Sequence, residues 1–231
     1  GKENAIPKEA KAVVSVRSCD ATTFEQSIKE SAAVWMQEIS ATEPHAKIEL
    51  EKTDIAADKV LDSKSTANVI YALWLSPDGV YRMSQEIKGM VQTSLNLGTA
   101  YIDADKLVYK YLIRSNTVAG KKLLLERVTT FVKHLSGKVV TMSDYPAWEY
   151  KSDSQLRKIC VDSFTNVYGH EPEVTSIHAG LECGILAGKM PGVDMISFGP
   201  TLESVHTPDE CMDAASVERT WEYLMEILKS L

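Results

Sequence analysis

The sequence predicts a mixed α/β protein of the α+β kind, an antiparallel sheet with helices on one face followed by a shorter part in which helices and buried strands alternate. Three observations predict it. Two alternating runs, residues 92–102 and 107–115, flank Asp103-Ala104-Asp105-Lys106 and read as a hairpin. Apolar stripes at helical spacing over residues 65–75 and 120–135 lie on either side of that hairpin, so helices can cover one of its faces. Beyond an aromatic, proline-containing stretch at 144–150, two short apolar runs, 174–177 and 193–197, alternate with helical segments as in a doubly wound sheet.

Taken in order, residues 10–18 alternate Val14 and Val16 against Val13, Ser15 and Arg17, and read as a strand. Asp20 or Thr22 then caps a helix. Thr22-x-x-Glu25 has the form of a capping box, and Phe24, Ile28, Trp35 and Ile39 share a stripe that Pro44 closes. Residues 47–54 alternate again, a second strand with one solvated face. The helix at 65–75 has Val69, Ile70, Leu73 and Trp74 on its apolar side and Ser76-Pro77-Asp78-Gly79 as its stop. After the hairpin, the helix at 120–135 carries Leu124, Val128, Phe131 and Leu135, with Gly137 as a left-handed stop and residues 138–142 as a short strand. Ser152-x-x-Gln155 opens a helix through Leu156, Ile159, Cys160, Phe164 and Val167 that Gly169 ends. A short helix over 181–187 separates the two apolar runs, and Asp213 caps a last helix whose stripe is Val217, Trp221, Leu224, Leu228 and Leu231.

Composition narrows the function. The 231 residues are 44% hydrophobic and 25% charged, enough to bury a core, and 25 basic against 32 acidic residues leave a net charge of −7. A chain without a basic face is a poor partner for nucleic acid. Cys19, Cys160, Cys183 and Cys211 are far apart with no C-x-x-C pair, so neither a zinc ribbon nor a disulfide framework is indicated. No apolar run approaches a membrane span, and a cytoplasmic location is the expectation. H-E-x-x-H and G-x-S-x-G are absent, and Gly184-Ile185-Leu186-Ala187-Gly188-Lys189 is one residue short of a phosphate loop and lacks its trailing hydroxyl residue.

The chemistry-bearing residues concentrate in 173–210. Each apolar run ends in a Gly-containing loop, His178-Ala179-Gly180 and Phe198-Gly199-Pro200, and the second leads to His206, whose backbone Pro208 stiffens. Read alone, His206 is an exposed loop histidine and Glu182 an acid at a helix start; Arg114 is a strand-end arginine in solvent and Asn4 a turn residue. His178-Ala179-Gly180-Leu181-Glu182-Cys183-Gly184, Ser197-Phe198-Gly199-Pro200 and His206-Thr207-Pro208-Asp209-Glu210, in that order, closely resemble the C-terminal signature of the aminoacyl-histidine dipeptidases, the Xaa-His branch of the dinuclear-zinc peptidases. Asn4-Ala5-Ile6-Pro7 is similar to a segment that lies well inside the lid domain of that family, so the resemblance implies that the N-terminal catalytic half and the first lid strand and helix are absent here.

The resemblance implies the following roles in the full-length protein. His206 is a terminal ligand of one of two zinc ions. The loop of His178, Ala179 and Gly180 lines the substrate pocket with its backbone, and Glu182 follows it. Arg114 grips the dipeptide's C-terminal carboxylate, a bidentate task suited to guanidinium, and Asn4 is a substrate-contacting lid residue. Ser94-Leu95-Asn96-Leu97-Gly98 matches a lid-strand motif with a structural role. Residues 1–145 are then the lid or dimerisation domain, residues 146–231 the C-terminal portion of the catalytic domain, and the full-length protein a homodimeric hydrolase of Xaa-His dipeptides. In it, two zinc ions lower the pKa of a shared water and a glutamate acts as general base. None of those catalytic groups is in this sequence, which implies that the chain by itself is inactive and binds zinc weakly or not at all. Two other readings remain open: a non-catalytic binding or dimerisation module of the same fold, and a deacylase or broad dipeptidase of the same superfamily.

Overall fold

A computed structural model describes residues 2–53, 59–176, 182–205 and 207–231. Among them are α1 (Ala21–Ile39), α2 (Ser63–Leu75), β1 (Gly79–Met83), β2 (Val91–Asp103), β3 (Lys106–Ser115), α3 (Val118–His134), α4 (Gln155–Tyr168), α5 (Glu182–Lys189), β4 (Leu202–Glu203), β5 (Cys211–Met212) and α6 (Ala214–Ser230). The mixed α/β class, with an antiparallel sheet and helices, is the one predicted. The chain falls into two compact units, Lys8–Tyr71 and Gly1–Pro7 with Ala72–Leu231.

In the Lys8–Tyr71 unit, α1 turns Phe24, Ile28, Ala32, Met36 and Ile39 to its half-buried side, while Trp35 is exposed. Asp20 is the N-cap but makes no capping hydrogen bond, because its carboxylate accepts from Arg17 Nε at 2.7 Å instead. The helix ends at Ile39, before Pro44. Residues 10–17 and the described part of 47–53 do not form strands. Alternation gives a chain two different faces, but a strand also needs a neighbour to take its hydrogen bonds. The apolar side assigned to α2 is likewise corrected: Ile70, Leu73 and Trp74 are exposed, and Ala72 is the buried residue.

The other unit is built on a three-stranded antiparallel sheet in the order β1-β2-β3. The hairpin is in register from Asp103↔Lys106 to Thr93↔Ser115, with one shift between Leu97 and Thr99. Pairing assigns the faces. Thr93, Leu95, Leu97, Tyr111, Ile113 and Ser115 share the face that α3 covers, where Leu95 and Leu124 are each 1% exposed and Val128, Tyr81 and Val132 complete the core. Leu124 and Val128 lie four apart, so the helix presents them as neighbours. Thr117 caps α3 by accepting from the Gly120 N–H at 3.2 Å. At the other end Ser136, not Gly137, takes the left-handed conformation, with φ 60. Gly137 is needed for space, since a Cβ there would lie 2.7 Å from Val132 Cγ1.

A second core joins α4 to α6 through Cys160, Tyr223 and Ile227, with Leu156, Ile159, Phe164, Tyr168 and Ile196 around them. The buried Tyr223 hydroxyl donates to the Cys160 carbonyl at 2.9 Å. The predicted α6 stripe is displaced, with Val217, Trp221, Leu228 and Leu231 exposed and Ser216, Tyr223 and Ile227 buried. Both stripes are apolar enough to be read as a core face; the aromatic contact of Tyr223 with Phe164, ring centroids 5.3 Å apart, selects one. Ser154, not Ser152, is the N-cap of α4. Gly169 ends that helix at φ 74, and Asp213 caps α6 by accepting from the Ala215 N–H, both as predicted. Residues 138–142, 174–176 and 193–197 are not strands, again for want of a pairing neighbour among the described residues.

Candidate functional site

The open face of the hairpin, opposite α3, carries Ser94, Asn96, Thr99 and Tyr101 from β2 and Val108, Lys110, Leu112 and Arg114 from β3. Arg114 is half-buried at the β3 end of this face. Four residues along the same strand, Lys110 lies roughly 13 Å away at the usual strand rise. The N-terminal segment crosses this face. Ala5 N–H donates to the Lys2 carbonyl at 3.3 Å, closing a turn with Glu3 and Asn4 at its centre. Asn96 Nδ2 donates to the carbonyls of Glu3 at 3.1 Å and Ala5 at 3.0 Å, and Lys110 Nζ pairs with Glu3 Oε1 at 2.8 Å.

Asn4, Lys2, Glu3, Thr99, Lys110 and Leu112 line an open cleft of about 510 Å³. Thr99 Oγ1 is buried without a hydrogen-bond partner. Lys110 has its pKa raised, first by the hydrogen bond and then by the charge of Glu3, so its ammonium is committed to that pair at neutral pH. Asn4 and Arg114, separated by 110 positions in the sequence, thus belong to one sheet face, though sequence patterning could not show that the segment 2–7 would lie there.

The C-terminal candidates are placed less fully. Glu182 is exposed and begins α5, where a carboxylate is favoured by the helix dipole. Gly184 is buried against the Pro146 carbonyl, 2.7 Å from where a Cβ would sit, which seats α5 on the 146–148 segment. His178, Ala179, Gly180 and His206 lie outside the described residues. What surrounds His206 is described: β4 pairs with β5 through Leu202↔Met212 and Glu203↔Cys211, and Asp213 N–H donates to the Thr201 carbonyl at 3.0 Å. Within the loop, Thr207 Oγ1 donates to the Ser204 carbonyl at 2.7 Å and accepts from the Asp209 N–H at 3.2 Å. This small hairpin was missed in the sequence because two-residue strands are too short to alternate.

Segment 193–197, read as a strand, is instead tied side chain by side chain. Asp194 accepts from the Ser154 hydroxyl at 2.8 Å and the Leu156 N–H at 3.1 Å. Burial pushes its pKa up, but those two bonds and the charge of Lys151 outweigh it and hold the carboxyl below its usual 3.8. Phe198 packs its ring 4.8 Å from that of Tyr223, which fixes the start of the loop leading to β4.

Among the described residues, no three His, Cys, Asp or Glu side chains come together to hold a metal ion. A zinc site takes about three protein ligands at least. The described donor set therefore does not fit one.

Comparison with known proteins places the chain. It is 31% identical over 229 residues to the cytosol non-specific dipeptidase of Escherichia coli K12, an alignment that takes in 99% of this chain and 47% of that protein. The crystal structure of the aminoacylhistidine dipeptidase from Vibrio alginolyticus superposes with a TM-score of 0.83 at 29% identity, over 93% of this chain and 44% of that one. The aminopeptidase PepT of Bacillus cereus shares the fold at 16% identity and a TM-score of 0.50, over 72% of this chain and 45% of that one. The chain thus spans about half the length of these relatives. Residues 7–230 match peptidase family M20/M25/M40, a family of metal-dependent peptidases, and the chain belongs to it.

Proposed function

We propose that the protein to which this chain belongs is a cytoplasmic, homodimeric dipeptidase that cleaves Xaa-His dipeptides with two zinc ions. Residues 1–145 are its lid and dimerisation domain, and residues 146–231 the C-terminal portion of its catalytic domain. Arg114 grips the C-terminal carboxylate of the dipeptide, Asn4 hydrogen-bonds the same substrate, and the His178-Ala179-Gly180 loop with Glu182 walls the pocket. His206 would hold one zinc ion together with residues outside this sequence, and the bound metal would supply an activated water and Lewis acidity. The observation that supports this best is the likeness to two dipeptidases over nearly the whole chain, together with Asn4 and Arg114 on a common sheet face.

The name of the Escherichia coli relative favours a second reading, a dipeptidase that does not select histidine. Hydrolysis of alanyl-histidine and alanyl-alanine by the complete gene product separates the two: a strong preference for the first supports the Xaa-His reading, equal rates the second. Replacing Arg114 by Ala in that protein is expected to raise KM by roughly 10- to 100-fold, the worth of a charged hydrogen bond, with kcat changed much less. An unchanged KM would remove Arg114 from the substrate.

A further inference from the structure

Residues 2–7 are held on the open face of the hairpin by three separate devices. Asn96 uses a single amide nitrogen to bind the carbonyls on both sides of Asn4. Gly98, left unpaired by the register shift, touches the strap backbone, and a Cβ there would lie 2.6 Å from the Glu3 carbonyl oxygen and 2.7 Å from its Cα. Backbone atoms cannot swing aside, so any side chain at 98 displaces the strap. Lys110 pairs with Glu3 from the neighbouring strand. The bulge that frees Gly98 is itself satisfied, since the Leu97 N–H donates to Asp78 Oδ1 at 2.7 Å.

These contacts share a target. All bear on the turn from Lys2 to Ala5, and the residue at its centre that lines the cleft with Thr99 and Leu112, yet makes none of the anchoring bonds, is Asn4. A polar residue that lines a cleft and whose backbone is held on both sides is the arrangement a ligand contact requires.

We propose that Asn96, Gly98 and Lys110 are positioning residues that strap residues 2–7 across the hairpin and set Asn4 on the sheet face that also carries Arg114, for contact with a dipeptide. The inference rests on the proposed substrate role of Asn4 and Arg114. The strap itself is a property of the fold and is measured separately.

Two readouts on the complete gene product test it: amide hydrogen exchange of residues 3–6, and the KM for alanyl-histidine. Asn96→Asp keeps the size of the side chain and loses both donors; Gly98→Ala adds the colliding Cβ. Both are expected to raise exchange in the strap about tenfold, with α3 and α6 unchanged, and to raise that KM about tenfold, as Asn4→Ala does. The double variant Asn4→Ala with Asn96→Asp is expected to have a KM no higher than either alone, a non-additivity that a merely stabilising contact would not produce. Should Gly98→Ala fail to fold, Asn96→Asp carries the test. A strap that loosens without a rise in KM, additive losses, or a strap unmoved by Asn96→Asp would each overturn the positioning role and leave the dipeptide reading standing. Failure of the complete gene product to hydrolyse alanyl-histidine at all would overturn the dipeptide reading, and the positioning role with it.

Discussion

Tyr109 shows how a single side chain can cost stability in a sound hydrogen-bonded strand. Its hydroxyl is buried with no hydrogen-bond partner, and burial, helped by the nearby Tyr111, pushes its pKa up to about 12. Removing an unsatisfied buried hydroxyl relieves its desolvation cost, so Tyr109→Phe is expected to leave stability unchanged or raise it by about 1 kcal/mol, read as a shift in the urea midpoint. Gly98 and Gly137 make a different point at the same scale. Neither has a positive φ; at Gly98 the Glu3 backbone passes where a Cβ would be, and at Gly137 the Val132 side chain of the preceding helix end does. A glycine in a sequence announces permissiveness; which neighbour exploits it is visible only in three dimensions.

Among the elements, α3 and the α4–α6 pair carry the packing. Leu124, at 1% exposure between β2 and β3 side chains, is the centre of the first core, and Leu124→Ala is expected to cost about 2–5 kcal/mol in urea unfolding. The tie between Asp194 and the start of α4 is set by charge and so depends on pH. Its carboxyl titrates below its usual 3.8 in the folded chain, so the stabilisation is complete above that value and is lost as pH falls through the lower folded value. Thermal unfolding of the parent and of Asp194→Asn should therefore differ at pH 7 and converge in acid, as the pH falls through the lowered folded value. A difference that persisted into strong acid would mean that the contact does not depend on ionisation.

The whole molecule leaves an unusual amount of apolar surface in water. Trp35, Trp74 and Trp221 are all more than half exposed, Trp74 at 77%, although tryptophan is ordinarily well buried. Red-shifted emission and ready quenching by acrylamide are expected from this polypeptide, and blue-shifted, protected emission would contradict those exposures. At the same scale, the resemblance assigns one zinc ligand, His206, to this chain, fewer than a catalytic zinc needs. No turnover of alanyl-histidine and no stoichiometric zinc are expected of this polypeptide alone; robust hydrolysis would defeat the assignment.

What the sequence by itself determined is what short-range physics encodes: the β2–β3 hairpin, helices α1 to α6 within a few residues, and the Gly169 and Asp213 helix ends. It also holds the three motif blocks that resemble the dipeptidases, and residues 7–230 match the peptidase family. Only the tertiary structure decided which of two apolar stripes α6 buries, that 193–197 is tied to α4 by Asp194 rather than paired in a sheet, and that Asn4 arrives on the Arg114 face. Periodicity specifies two faces of a segment and turn residues specify its ends. Which face is covered, and by what, depends on partners distant in sequence, and no local pattern contains them.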